Sequence, residues 1–373
     1  MSRIPSLDGL RALSIFLVIA LHTIQRFSIS HHVSLIWFAI FDGGTGVFIF
    51  FVISGYLITS LLLHEQEKYG SISMSSFYFR RAMRILPPVY LYVGVLLLLG
   101  WAGRLAINRI DIISSLFFFH NYALSSTMWS LQHFWTLSIE EQFYLIWPFI
   151  LYYCLFHRPG IAGRMTAAKV AIAVIAISPV IRVVSFASRI PVLHHGGMFQ
   201  MRADSLMFGC VAALLQGTPL FERVYSFATK VWWIPPAVIF LSDCIGARFQ
   251  NYWQFPLGYT FCGAAIAFFL LWCVRNPYSA VGRVLNCRPV MHIGVLSYSI
   301  YIWQTLFLHE SNASVFGPSL KLISTFPGNL VAILIVAELS YYLIEQPSLR
   351  LRNRIMRWFP AREIRTAPLV ESK

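Results

Sequence analysis

The chain has 373 residues, of which 57% are hydrophobic and only 12% are charged, against about 25% charged residues in soluble domains. This composition excludes a water-soluble globular domain, because too little polar surface would remain to cover the core. The net charge of +14 does not indicate nucleic-acid binding, because the basic residues lie in short segments between apolar runs.

Apolar runs long enough to cross a bilayer recur along the chain, and they predict an all-α, polytopic membrane helical bundle. The sixth run is short and carries Arg202 and Asp204 at its entrance, which is typical of a tilted, broken or lipid-shielded helix. We predict about ten transmembrane helices, at residues 10–27, 46–63, 86–103, 139–156, 167–186, 204–216, 231–246, 256–274, 292–309 and 327–345.

The distribution of lysine and arginine predicts the orientation of the bundle. If the N-terminus is cytoplasmic, most basic residues fall on the cytoplasmic side, as the positive-inside rule requires. Both termini are therefore predicted to be cytoplasmic. The chain then divides into a transmembrane domain, residues 1–349, and a basic cytoplasmic tail, residues 350–373, whose arginines would bind anionic lipid.

The first predicted helix carries two ionisable residues, Arg11 and His22. Residues eleven positions apart return to within about 20° of the same helix face and stand roughly 16 Å apart along the axis. His22 is the one histidine deep inside a long apolar run, where ionisable groups are costly. The pair suits either a path for an anionic donor that enters from the cytoplasm or a structural polar seam.

Two further sets of charged residues flank predicted spans. Arg81 and Arg84 precede the third span, and on a helix they would share a face and could bind phosphate oxygens. The positive-inside rule alone would also explain them. Glu140 and Glu141 open the fourth span, where such carboxylates are costly unless paired. One of them could orient His22, or they could pair with a cation such as Arg202.

The connection before the fourth span, residues 104–138, is rich in aromatic residues. An aromatic belt at the membrane interface explains most of them, and a binding surface for a sugar or a lipid is the alternative. The six cysteines lack Cys-x-x-Cys spacing, so they indicate core residues and no metal site.

The segments that contain these charged residues resemble motifs of the acyltransferase 3 family of integral membrane O-acyltransferases, and the resemblance extends across nearly the whole chain. Each matching segment is a loose pattern, but their joint order and spacing are specific. The segments are Leu7-Asp8-Gly9-Leu10-Arg11-Ala12 with His22, Phe50 to Leu57, Arg81-x-x-Arg84 and Phe134 to Tyr144, with weaker matches at Arg202-x-Asp204, Ser297 to Tyr301 and Glu345-x-Pro347.

The resemblance implies that an acyl group, most simply acetyl from acetyl-CoA, passes from cytoplasmic acyl-CoA to a hydroxyl of a carbohydrate or glycolipid. The protein would lie in the bacterial inner membrane as a multi-pass protein. No metal cofactor is expected, and the oligomeric state is not indicated. The resemblance assigns His22 to catalysis and Arg11, Arg81 and Arg84 to acyl-CoA binding. To these we add Glu140 and Glu141 as catalytic candidates, and Arg202, Asp204, Tyr298 and Glu345 as supporting polar residues.

Two positions depart from the family pattern. Phe48 stands where a polar residue often follows Gly-Val, and Gln304 stands where a histidine often follows Tyr-x-Trp.

Two questions of mechanism stay open at this stage. His22 could act as a general base on the acceptor hydroxyl or carry the acyl group itself. The rival function is a proton-coupled secondary transporter in which His22, Glu140 and Glu141 relay protons. Transporters commonly show internal repeats, and the sequence contains none that we detect.

Overall fold

A computed structural model describes residues 4–28, 35–123, 126–188, 197–249 and 251–358. Every regular element in these ranges is helical. Short 3₁₀ turns occur at His120–Tyr122, Trp129–Leu131 and Pro318–Leu320, and π turns at Gln254–Gly258 and Tyr341–Glu345. The α-helices are α1 (Pro5–Ser28), α2 (Leu35–Ile40), α3 (Gly43–Tyr69), α4 (Met74–Trp101), α5 (Arg109–Leu116), α6 (Phe134–His157), α7 (Ile161–Ala187), α8 (Phe199–Leu215), α9 (Pro219–Lys230), α10 (Ile234–Phe249), α11 (Asn251–Trp253), α12 (Tyr259–Arg275), α13 (Ala280–Leu285), α14 (Arg288–Leu308), α15 (Asn312–Phe316), α16 (Lys321–Ser324), α17 (Gly328–Ser340) and α18 (Gln346–Trp358).

A helix forms at each position where a span was predicted. The all-helical bundle is therefore confirmed, whereas the count of ten crossings and the cytoplasmic location of both termini stay predictions. Six segments in the described ranges are long and apolar enough to cross a membrane: Pro5–Gln25, Ile36–Tyr69, Met74–Trp101, Ile161–Ala187, Gln254–Arg275 and Gly328–Arg357. The four remaining predicted spans correspond to α6, α8, α10 and α14, of which α8 and α10 have only 17 and 16 residues.

Local capping explains where α3 and α4 begin and end. The Asp42 carboxylate accepts a hydrogen bond of 2.6 Å from the backbone N–H of Thr45 and so caps α3. Gly70 ends α3 in the left-handed conformation, with φ of 71°. The Ser73 hydroxyl then accepts from the backbone N–H of Ser76 and opens α4. As a result α4 begins well before the predicted apolar run, and Arg81 and Arg84 lie on its helical surface, as the argument from their spacing required.

Helix α3 lies at the centre of the bundle between α1 and α8. A Cβ on Gly55 would approach the carbonyl oxygen of Leu206 to 1.9 Å, and one on Gly209 would approach that of Val52 to 2.1 Å. Only glycine permits this crossing, which is the usual way in which membrane helices reach close backbone contact. Helix α8 has no exposed residue, so its polar groups face protein and not lipid.

One fully buried ion pair holds α8 to α7. Nη1 of Arg182 lies 2.9 Å from the Asp204 carboxylate, and both side chains are inaccessible to solvent. The guanidinium also donates to the carbonyl oxygens of Phe255 and Met201, each at 2.7 Å. Asp204, named from the sequence as a supporting polar residue, thus pairs with Arg182, which sequence reasoning had not singled out.

The end of the described chain is helical. Helix α17 continues through a π turn at Tyr341–Glu345 into α18, Gln346–Trp358, which packs against α4. The predicted boundary between residues 349 and 350 therefore falls inside α18. The remainder of the predicted tail, residues 359–373, lies outside the described residues, and the tail's cytoplasmic location stays a prediction.

Candidate active site

The two ionisable residues of α1 line two different cavities. Arg11 lines a cavity of about 80 Å³, which we call the arginine cavity. His22 lines a cavity of about 790 Å³, which we call the histidine cavity. The two cavities share Val47 and Tyr301 in their walls, so they adjoin along one side of α1.

The arginine cavity brings together most of the predicted site. Helix α1 contributes Arg11, and α4 contributes Arg81 and Arg84. Helix α6 contributes Glu140 and Glu141. Three guanidinium groups thus converge on one small space with two carboxylates, in an arrangement that can bind an anion that bears more than one negative charge.

Several contacts fix the side chains of this cavity. Nη1 of Arg11 lies 3.1 Å from the Asp8 carboxylate, and the guanidinium of Arg81 lies 4.8 Å from the ring centre of Tyr144. The Tyr144 hydroxyl donates to the hydroxyl of Ser54 at 3.1 Å, and Ser54 in turn donates to Glu140 at 2.7 Å. This chain of hydrogen bonds joins α6 to α3 and orients one of the two carboxylates.

A third cavity, of about 370 Å³, lies on the other side of the arginines. It shares Arg11 and Arg84 with the arginine cavity and is also lined by Asp8 and Glu345. Glu345 accepts a short hydrogen bond from Ser299. Arg11 and Arg84 therefore stand between two spaces, and a ligand with several anionic groups could contact them from either side.

Tyr298 is the remaining supporting residue near this site. Its side chain lines the arginine cavity, and its hydroxyl donates to the carbonyl oxygen of Ile85 at 2.8 Å. That carbonyl lies in the turn of α4 that contains Pro87 and Pro88. Tyr298 thus ties α14 to α4 beside the arginines.

The histidine cavity is large enough for a small-molecule ligand, since such sites typically enclose about 300–1,000 Å³. Besides His22, the structure places three further histidines in its wall. From the sequence, His120 and His133 were left in a connection between spans and His309 at the end of one. Only His133 could have been found from the sequence, because it directly precedes the Phe134-Trp135 motif. Within the described residues no group of three or more potential ligands could hold a metal ion.

Arg202 also lines the histidine cavity. Its guanidinium lies 3.9 Å from the ring centre of Tyr259 and 5.2 Å from that of Phe48. Phe48, the first departure from the family pattern, thus supplies a ring against which Arg202 packs. Gln304, the second departure, is fully buried, and its amide has no hydrogen-bond partner within the described ranges.

The structure does not bring the carboxylates of α6 to His22. Glu140 and Glu141 line the arginine cavity, while His22 and Arg202 line the histidine cavity. The physical reason is the start of α6 at Phe134, which places Glu140 about 9 Å along the helix axis from that end. The two carboxylates share a cavity with Arg11, Arg81 and Arg84 and not with His22 or Arg202, so neither of the two pairings considered from the sequence is observed.

Comparison with known proteins places the chain in a family. A family profile described as an acyltransferase domain matches residues 4–344. A peptidoglycan O-acetyltransferase of Listeria monocytogenes is 29% identical, over 92% of this chain and 55% of its own length. A provisionally named peptidoglycan O-acetyltransferase of Bacillus subtilis is 32% identical, over 92% of this chain and 54% of its own length.

A provisionally named O-acetyltransferase of Staphylococcus aureus is 28% identical, over 97% of this chain and 60% of its own length. The chain therefore spans between about half and three-fifths of the length of these relatives. No solved structure matches it. Because the profile covers nearly all of the described helices, the chain belongs to the acyltransferase 3 family, which its motifs resemble.

Proposed function

We propose that this chain is a membrane O-acyltransferase that moves an acyl group, most simply acetyl, from acyl-CoA to a hydroxyl of a carbohydrate or glycolipid. The observation that carries this proposal is the pair of adjoining cavities along α1, with three arginines lining one and His22 lining the other. The names of the relatives support O-acetyl transfer and a cell-envelope carbohydrate as the acceptor.

The arginine cavity is the proposed site for the charged part of the donor. Coenzyme A carries phosphates, and guanidinium groups bind phosphate oxygens through paired hydrogen bonds. Arg11, Arg81 and Arg84 would supply these contacts, and the predicted orientation would open their side of the bundle to cytoplasmic acyl-CoA.

The separation of the two cavities suits the shape of this donor. Eleven residues of α1 span roughly 16 Å between Arg11 and His22. The phosphates and the thioester must therefore be joined by an extended arm, and the pantetheine chain of coenzyme A is such an arm. The thioester would then lie near His22, where the acceptor enters from the opposite side.

The proposed reaction uses His22 as a general base. The acceptor hydroxyl attacks the thioester carbonyl carbon and passes its proton to His22. The new C–O bond forms, the C–S bond breaks, and the coenzyme A thiolate leaves and takes the proton back from His22. The products are the ester and free coenzyme A, and the imidazole is again neutral.

The transporter alternative has no support from the relatives, whose names are those of O-acetyltransferases. A proton relay also leaves the arginine cavity without a purpose, whereas a donor that carries phosphates uses all three guanidinium groups. We therefore favour the transferase, in the bacterial inner membrane with both termini in the cytoplasm.

Replacement of His22 by Gln tests the mechanism, because Gln keeps a hydrogen bond but cannot accept and return a proton. In reconstituted protein supplied with labelled acetyl-CoA, His22→Gln should keep donor binding and lose the 10²–10⁴-fold that positioned acid–base catalysis supplies. His292→Gln is the matched control, because His292 pairs with Glu338 at 2.6 Å and lines neither cavity.

Two results would contradict the proposal in different ways. If His22→Gln turns over acetyl-CoA as fast as His292→Gln, His22 is not the base. If the wild-type protein neither binds nor consumes acetyl-CoA, the donor is wrong. Label that stays on the wild-type protein after acid quenching, and is absent from His22→Gln, would instead indicate an acyl-histidine intermediate.

A further inference from the structure

His133 faces the same cavity as His22 but is held in a different way. It directly precedes α6, and its Nδ1 lies 2.9 Å from the hydroxyl of Thr305 on α14. Its backbone carbonyl oxygen accepts from the Tyr301 hydroxyl at 3.1 Å. Contacts to α14 thus hold both the ring and the backbone, so the position of the imidazole is well determined.

The other ring nitrogen of His133 lacks a partner. Nε2 is buried and makes no hydrogen bond to any residue in the described ranges, and the side chain as a whole is only 6% exposed. A buried polar atom without a partner is costly, and such atoms in native proteins call for an explanation. His133 lines the histidine cavity, and a ligand that enters beside the ring could supply the missing partner.

His133 is uncharged across the physiological range. Burial lowers its pKa to about 3, with a further contribution from the nearby imidazoles of His22 and His120. A neutral imidazole carries one donor and one acceptor, assigned to its nitrogens according to the tautomer. It therefore suits a neutral hydrogen-bonding ligand and offers no charge to attract a phosphate.

Apart from the guanidinium of Arg202, much of the cavity wall is also uncharged. Asn121, Gln132 and Ser126 contribute uncharged polar groups, and Trp135 contributes an aromatic surface. A hydroxyl both donates and accepts, so it can bond Nε2 in either tautomer of His133. A molecule with several hydroxyls and apolar ring faces, as in a sugar, matches such a wall.

We propose that His133 positions the acceptor by a hydrogen bond from Nε2 to a carbohydrate hydroxyl other than the one that is acylated. This inference rests on the proposed transferase function and assigns the acceptor to the histidine cavity. Correct positioning decides whether the acyl group reaches the sugar hydroxyl or is lost to water. The partition between these two products is therefore the quantity that reports on His133.

The test uses two substitutions that each keep one half of the imidazole. His133→Asn keeps a polar atom close to the position of Nδ1, next to Thr305, and removes Nε2. His133→Gln can place its amide near the position of Nε2 and gives up the contact with Thr305. Membranes from cells with each variant as the only copy are given labelled acetyl-CoA, and label is counted in carbohydrate and in free acetate.

We expect His133→Asn to lower the ratio of transferred to hydrolysed acetyl by roughly two- to tenfold, the effect of one lost hydrogen bond. The fall should come from the transferred product, and acetate release should change less, because the proposal places His133 on the acceptor and not on the donor. His133→Gln should keep a ratio closer to that of the wild type.

An unchanged ratio in His133→Asn would overturn the proposal. So would a parallel loss of both products that is worse in His133→Gln, since that pattern belongs to a structural contact with Thr305. If the proposed transferase function itself is wrong, the wild type and His22→Gln should consume acetyl-CoA equally slowly. That result would reject both the transferase function and the positioning role of His133.

Discussion

The buried pair of Arg182 and Asp204 permits a prediction of stability that is independent of the reaction. Asp204→Asn keeps the shape of the side chain but removes its charge, so the guanidinium of Arg182 stays buried without a counter-ion. The amide also meets donors on both sides, because one carboxylate oxygen accepts from Arg182 at 2.9 Å and from the Thr260 hydroxyl at 2.8 Å, and the other accepts from the backbone N–H of Ser205 at 3.0 Å. Whichever way the amide turns, its NH₂ group faces a donor.

The size of the effect follows from these contacts. Removing one partner of a buried ion pair typically costs about 3–5 kcal/mol, because the remaining charge is left uncompensated. We place Asp204→Asn in this range, since both side chains are fully buried. Arg182→Met should cost at least as much, because it also frees the carbonyl oxygens of Phe255 and Met201. The double substitution Arg182→Met with Asp204→Leu should cost less than the sum of the two single changes.

Denaturant titration of the purified protein in detergent measures these free energies of unfolding. The matched control is Glu222→Gln, which weakens an ion pair with Arg275 of 2.7 Å at the surface and should change the free energy of unfolding by no more than about 1 kcal/mol. If Asp204→Asn unfolds within about 1 kcal/mol of the wild type, the reasoning fails, because that is the range of an exposed pair. Additive single substitutions would likewise show that the two charges do not depend on each other.

Two further predictions concern the donor and the orientation. Arg81→Ala and Arg84→Ala should each raise the KM for acetyl-CoA tenfold or more, because a charge-assisted hydrogen bond contributes about 1.5–3 kcal/mol in both ground and transition states. Arg80→Ala should not, since Arg80 pairs with Glu65 at 2.7 Å and does not line the arginine cavity; equal KM values for all three variants would remove the donor assignment. A reporter fused after residue 373 should lie in the cytoplasm and one near residue 121 on the opposite side, and a C-terminus outside would reverse the orientation.

Much of the helical architecture could be predicted from sequence alone. Apolar runs and the spacing of charges depend on local composition and helix geometry, so the helices, the shared face of Arg81 and Arg84, and the placement of Arg11 and His22 on one helix all followed from counting residues. The family also followed, because its motifs are short segments whose order survives in the sequence. The full extent of α4 was missed, because a polar first turn capped by Ser73 carries no apolar signal.

The composition of the two cavities was decided only by tertiary packing. Pairing of Glu140 or Glu141 with His22 was one possibility from the sequence, but in the folded chain both carboxylates line the cavity of the arginines. His133 lines the same cavity as His22, and contacts with α14, about 170 positions later in the chain, hold it there. Arg182 finds Asp204 across the contact of α7 with α8. These contacts depend on how helices that are far apart in sequence cross, and local periodicity does not predict the crossings. Because buried polar groups need hydrogen-bond partners, each one bonds to the group that the crossing brings next to it.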